Sequence, residues 1–189
     1  MYNSDHFVYI ILDYWVNNDY CFMSCPLDII SQFKSILKDA EKGLLLHWLQ
    51  NKESYLAYIV LMSQFSRQIY RNTKYKYQND KKVLLFIEMA LDTYLDQYTA
   101  IEKTTILRTY FHSENIQCHL LGMQILNSLI SKETNIIDLN ILKKTLYYAR
   151  GRMKIIKQFN RFPKRNYILR RVSTEDEIDY MDSSEKIGL

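Results

Sequence analysis

Arginines, placed where a folded chain would bury them, are the residues of this sequence with the clearest chemistry. At 100° per residue, Gln64, Arg67 and Arg71 fall on one narrow stripe of an otherwise apolar segment. Cations on a buried helix need partners, so something anionic must lie opposite them. A second concentration lies at 150–171, with nine Lys or Arg and no Asp or Glu, while the whole chain of 189 residues carries only +4. The remainder therefore sums to −5, and the basicity is local. After Val172 six acids face one lysine, an acidic end able to fold back over the basic segment. Such a cluster suits nucleic-acid phosphates, whose binding releases counterions. It equally suits a solvated helix face with an intramolecular acidic partner, and no groove-reading motif accompanies it.

Other chemistries leave no pattern. His112 and His119 stand seven apart without a paired carboxylate, Cys21-x3-Cys25 lacks a second Cys or His pair, and HExxH is absent, so no metal is expected. No P-loop, GxGxxG or GxSxG occurs, and no cofactor is expected. The odd set Cys21, Cys25 and Cys118 implies no disulfide framework and fits a reducing cytoplasm. The apolar runs at 7–12 and 56–62 are too short for a signal peptide or a membrane span.

The elements that must position these side chains read as helices throughout. Apolar residues make up 48% of the chain, enough for a core, whereas four Gly and two Pro are too few for the turns of a many-stranded sandwich or barrel. The expectation is one all-α domain over 1–181, with 182–189 a frayed acidic tail. A first helix is predicted at about 5–16, and a second begins near Pro26 and is broken by Gly43. The segment 52–70, apolar nearly all round, should be the central core helix. A polar loop follows, ending at Asp80 in N-cap position before a helix at 81–95. Helices at about 101–111, 114–131 (capped by Ser113) and 138–159 come next. The last buries Leu142, Leu146, Ala149, Met153 and Ile156, with Asn160 as its left-handed stop. Thr174 and Glu177 form a capping box for a final short helix. Trp48, Phe65 and Phe162 are expected in the core, and the many tyrosines between helices with their hydroxyls at the surface.

Three ordered blocks carry a family resemblance. The stretches HWLQNKESYLAYIVLMSQFSRQIYRNTKYKYQND, YFHSEN and YARGRMKIIKQFNRFPKRNYILRRVSTEDE resemble, in order and spacing, the signature of the bacterial family named domain of unknown function 924, and the early ILDYWV is similar to its opening ILDFW. The resemblance spans nearly the whole chain. It implies a tetratricopeptide-like array, here of about seven to eight helices, and transfers no established activity.

The polar residues that match the signature are Trp48, Gln64, Arg67, Arg71, His112, Ser113, Glu114, Arg161, Arg165 and Asn166. Three positions depart from it: Ser63 and Asn115 replace family aspartates, and Arg152 replaces a family histidine. Neither Ser nor Asn exchanges a proton near neutral pH, so acid–base chemistry at those positions would be weakened. Three readings follow for the matched set. Its arginines line a pocket for an anionic small molecule or acidic peptide, which their planar forks suit. Alternatively, Ser113 caps a helix, Glu114 sits favourably at its positive end, and the arginines tie that end to the RFPKRN turn through buried ion pairs. In the third, His112 and Glu114 act as acid and base. Arg67, Glu114 and Arg165 should converge in space, although about 50 residues separate each from the next in sequence. A nucleic-acid partner through 150–171 is the reading of a different class.

Overall fold

The computed structural model describes residues 5–17 and 27–186, and among these every regular element is helical. Cys21, Cys25 and Pro26 lie outside the described residues. Inward residues at i, i+4 and i+8 set α1 (His6–Asn17), whose Phe7, Ile11 and Trp15 are buried. Next comes α2 (Leu27–Glu41), which contributes Phe33, Ile36, Leu37 and Ala40 to the core. Gly43 ends that run at φ 81°, a left-handed conformation that a side chain would strain. A 3₁₀ turn, Leu46–Gln50, buries Trp48 and leads to Asn51, whose side chain caps α3 (Lys52–Val60).

The apolar stretch at 52–70 is the core helix, but its winding is not uniform. From α3 it passes through a π-helical turn, Leu61–Phe65, into α4 (Ser66–Ile69), and residues 54–63 are buried without exception. Ser63 lies in the π turn and donates its hydroxyl to the Ile59 carbonyl at 2.6 Å. The wider i→i+5 turn advances fewer degrees per residue than an α-helix, and α4 ends at Ile69, so the spacing of a uniform helix does not hold from Gln64 to Arg71.

After the loop come α5 (Asp80–Tyr94), α6 (Ala100–Tyr110), α7 (Ile116–Lys132) and α8 (Ile136–Phe159). Thr99 and Glu102 form a capping box on α6, and Asn115 and Asn135 cap α7 and α8. The predicted α8 stripe is buried, and Asn160 stops the helix at φ 56°. Two predicted caps change. Ser113 does not cap α7: its Oγ accepts from Asn115 N at 3.1 Å, and Asn115 itself caps the helix by accepting from Gln117 N at 2.9 Å. Asn and Asp serve equally there, so the departure from the family aspartate leaves this role intact. Asp80 is likewise the first residue of α5 rather than its cap, and its carboxylate is engaged elsewhere.

The core has two halves that share α6. In one, α3 packs against α1, α5 and α6; in the other, α8 packs against α6 and α7. Several tyrosines are more deeply buried than expected. Tyr55, Tyr58 and Tyr98 donate their hydroxyls to the carbonyls of Phe86, Ala40 and Lys52, pairing polar atoms that burial would otherwise strand. Beyond α8, a 3₁₀ turn (Pro163–Arg165) leads to α9 (Asn166–Leu169) and then α10 (Glu175–Lys186), whose N-terminus carries the Thr174–Glu177 capping box. Thus α10 extends through most of the segment read as a tail.

Candidate functional site

A cleft of about 460 Å³ opens where α4, the 71–79 loop, the α6–α7 turn, α8 and the turn after α8 meet. Its walls carry Arg67, Arg71, Lys76, Arg152, Lys164 and Arg165, and among the described residues no Asp or Glu lines it. Directly behind the wall sits Asp80, which accepts from Arg67 Nη2 at 2.6 Å and from Arg165 Nη1 at 3.3 Å. The anion required opposite the arginine stripe is therefore this carboxylate.

Aromatic rings contact the guanidiniums. Arg67 and Arg165 lie over Tyr77, 5.2 Å and 4.2 Å from its centroid, and Arg165 and Arg152 lie over Phe162 at 4.7 Å and 3.8 Å. Each contact is within cation–π range, so the ring quadrupoles offset part of the repulsion among these cations. Backbone groups fix the ladder further: Arg165 Nη2 donates to the His112 carbonyl at 2.6 Å, and Arg152 Nε to the Phe111 carbonyl at 3.0 Å. Glu41, at the end of α2, holds the loop that presents Lys76 and Tyr77. Its carboxylate accepts from Tyr70 Oη at 3.1 Å, Gln78 Nε2 at 2.7 Å and Asn79 Nδ2 at 2.8 Å.

Burial and crowding of like charge set the protonation states. Burial pushes Arg165 down to about 10, with Asp80 pulling it back, so it remains charged at neutral pH. Burial also lowers Lys76, and Arg67 and Arg71 add to the effect. The Asp80 carboxyl is pushed up by burial against the pull of Arg67 and Arg165. His112 lines the cleft and is driven well below its ordinary value, first by burial and then by Arg67, Arg152 and Arg165. It is a neutral imidazole whose buried Nδ1 has no hydrogen-bond partner.

The matched residues divide. Arg67, Arg71, His112 and Arg165 line the cleft, whereas Trp48, Gln64, Ser113, Glu114, Arg161 and Asn166 do not. Trp48 is buried near the α3 N-terminus, where its carbonyl accepts from Ser54 Oγ at 2.5 Å. Glu114 accepts from the Phe162 amide at 3.0 Å and from both Arg171 terminal nitrogens at 3.0 Å and 2.8 Å, tying the α6–α7 turn to the turn after α8. Burial pushes its carboxyl up, but those hydrogen bonds prevail and hold it below its ordinary value. Arg161 grips Glu177 in a fork at 2.6 Å and 2.7 Å, holding that carboxyl down to about 2. Asn166 donates to Glu177 at 3.1 Å and to Ser173 at 3.0 Å. The three blocks do come together, Arg67 and Arg165 on Asp80, and Arg165 close enough to Glu114 to lower its carboxyl.

Sequence reasoning did not select Asp80, Lys76, Tyr77, Lys164 or Glu41 as site residues, and took Arg152 only as a departure. Asp80 carried a usable signal, because it closes the first family block and is the carboxylate nearest the stripe in sequence. Among the described residues no cluster of His, Cys, Asp and Glu has the arrangement to hold a metal ion, and no helix is long and apolar enough to cross a membrane.

Fold and cleft together define an all-α protein with a cationic, arginine-lined cavity. The chain belongs to the family described as bacterial protein of unknown function (DUF924), whose model matches residues 13–185. It is also similar in fold to the solved structure of a protein of unknown function from Agrobacterium tumefaciens, with a TM-score of 0.79 at 22% identity over 96% of this chain and 99% of that one. No curated protein matches it.

Proposed function

We propose that the cleft binds an anionic small molecule. One observation carries the reading: six cations line a single cavity that, among the described residues, no carboxylate lines, with Asp80 the counter-ion behind them. Like charges gathered this closely repel, and a bound anion relieves the repulsion. The cavity volume of about 460 Å³ falls in the range of small-ligand pockets and favours a compact anion over an acidic peptide. The reading is of a protein working in a reducing cytoplasm, as the odd cysteine count supports. Catalysis has less support, since Glu114 is held by Arg171 and Phe162 away from the cleft walls.

The experiment is thermal unfolding in a panel of phosphorylated and carboxylate compounds at constant ionic strength. Specific anions should raise the midpoint with a saturating dose response, by the logarithm of occupancy. Equal small shifts from every salt would defeat the proposal.

A nucleic-acid reading draws on α8, where Lys143, Arg150, Lys154 and Lys157 are exposed beside Tyr147, itself 83% exposed. It is the weaker reading. Of the nine cations in 150–171, three line the cleft and Arg161 and Arg171 are paired with Glu177 and Glu114, which leaves four for a phosphate backbone. Affinity for RNA or DNA that falls steeply with salt would support it.

A further inference from the structure

We propose that the anion is a linear oligophosphate recognised by its phosphate chain alone, with no contribution from an attached base. This inference rests on the anion-binding reading above and narrows its ligand class.

The charge count favours several phosphates over one or two carboxylates. Six cations line the cavity, and Asp80 behind it, shared by Arg67 and Arg165, supplies one negative charge. A diphosphate or triphosphate concentrates several negative charges in a compact chain, whereas carboxylates of similar size carry fewer. Guanidinium N–H groups that no protein atom accepts are the donors that bind phosphate oxygens in bidentate fashion. Asp80 takes one terminal nitrogen of Arg67, and Phe111 O takes only Nε of Arg152. Both terminal nitrogens of Arg152 and Nη1 of Arg67 remain as donors. Lys76 adds a mobile point charge, and the neutral His112 ring, its Nδ1 without a partner, adds a polar atom that brings no further positive charge.

The same stacking disfavours a base. Tyr77 and Phe162 each already carry two guanidiniums, and Tyr180, the third aromatic ring lining the cleft, packs against Phe159 at 5.1 Å between centroids. Each of these rings therefore has a neighbour of its own, which disfavours a nucleobase stacking there. Among the described residues no carboxylate lines the cleft to help hold a phosphate-bound Mg²⁺, so the metal-free anion is the form to test.

The test is calorimetric titration of the full chain, without Mg²⁺ and at fixed ionic strength, with inorganic tripolyphosphate, citrate and a nucleoside triphosphate. Tripolyphosphate should bind about tenfold or more tighter than citrate, and the nucleoside triphosphate within about threefold of tripolyphosphate. Arg152→Gln should weaken tripolyphosphate by about tenfold, the loss of one bidentate charge-assisted contact. Lys76→Gln, at a loop residue whose ammonium lies 5.6 Å from the Tyr77 centroid, should weaken it by a few-fold and keeps the test decisive if the Arg152 variant is poorly folded. Citrate binding as tightly as tripolyphosphate would overturn this inference while leaving an anion site. A nucleoside triphosphate binding tenfold tighter than tripolyphosphate would overturn the claim of a base-blind site. No saturable binding by any of the three, with neither variant differing from the parent, would overturn both this inference and the anion-binding proposal.

Discussion

Asp80→Asn is the substitution on which a scaffold and an anion site make opposite predictions. The variant is nearly isosteric and leaves Arg67, 16% exposed, and Arg165, 8% exposed, facing an amide instead of a carboxylate. Breaking a buried pair by removing one partner costs about 3–5 kcal/mol, and the residual exposure of Asp80, 19%, places this case near 3 kcal/mol. For a chain of this size each kcal/mol moves the unfolding midpoint by about 2–4 °C, so the drop should be about 6–12 °C. In a pure scaffold the story ends there. In an anion site, the variant cavity has gained one unit of positive charge, so it should bind the anion more tightly than the parent and recover much of the lost midpoint when anion is added. Urea or thermal unfolding with and without tripolyphosphate measures both effects. The double variant Arg67→Met with Asp80→Asn should lose less than the sum of the singles, because Arg67 and Asp80 are directly coupled. A loss under about 1 kcal/mol, the size of a solvent-screened pair, would show that Asp80 does not neutralise the ladder and would refute the reasoning.

Three further outcomes follow from other contacts. Glu114→Gln should cost only about 1 kcal/mol, since its pair with Arg171 is part-exposed at 22% and 32% and the new amide still accepts from Phe162 N; a double-mutant cycle should show coupling to Arg171 and little to Arg67. Glu41→Ala removes the acceptor shared by Tyr70, Gln78 and Asn79, so hydrogen exchange at 71–79 should accelerate and tripolyphosphate affinity should fall several-fold, although Glu41 does not line the cleft. Acidification should loosen α10 first. The Glu177 carboxyl is held down to about 2 from an ordinary value of 4.5, so its contribution is present above 4.5 and is lost as pH falls toward 2. Detachment of α10, followed by the packing of Tyr180 on Phe159, should track that window, and Glu177→Gln should abolish the pH dependence.

Much of the fold was legible because it rests on local rules. The α8 stripe, the Asn160 stop and the Thr174–Glu177 capping box each depend on residues within a few positions of one another, and each is present. The burial of 54–63 followed from an apolar run with no polar face. The misreadings have tertiary causes. A π turn has no sequence signature of its own, so nothing in LMSQF announced that uniform helical spacing would fail from Gln64 to Arg71. Asp before a helix is a good cap by local chemistry; that Asp80 instead faces two arginines, one of them 85 positions away, is decided by packing. The same holds for Glu114, whose cation is Arg171 rather than Arg67. Which charges must be neutralised can be read from a sequence, but which carboxylate neutralises them depends on where the helices place it.

The departure at Arg152 points the same way as the ladder. A histidine there would titrate near neutrality, whereas the guanidinium is charged throughout, is lowered by burial yet still protonated, and sits 3.8 Å from the Phe162 centroid. The substitution therefore adds permanent charge to a cavity already crowded with it, a change that costs stability in the empty protein. Phe162 and the Phe111 carbonyl offset part of that cost. On the anion-binding proposal a bound anion relieves the remaining repulsion, so the more cations the cavity holds, the larger the stabilisation that a multiply charged anion should produce.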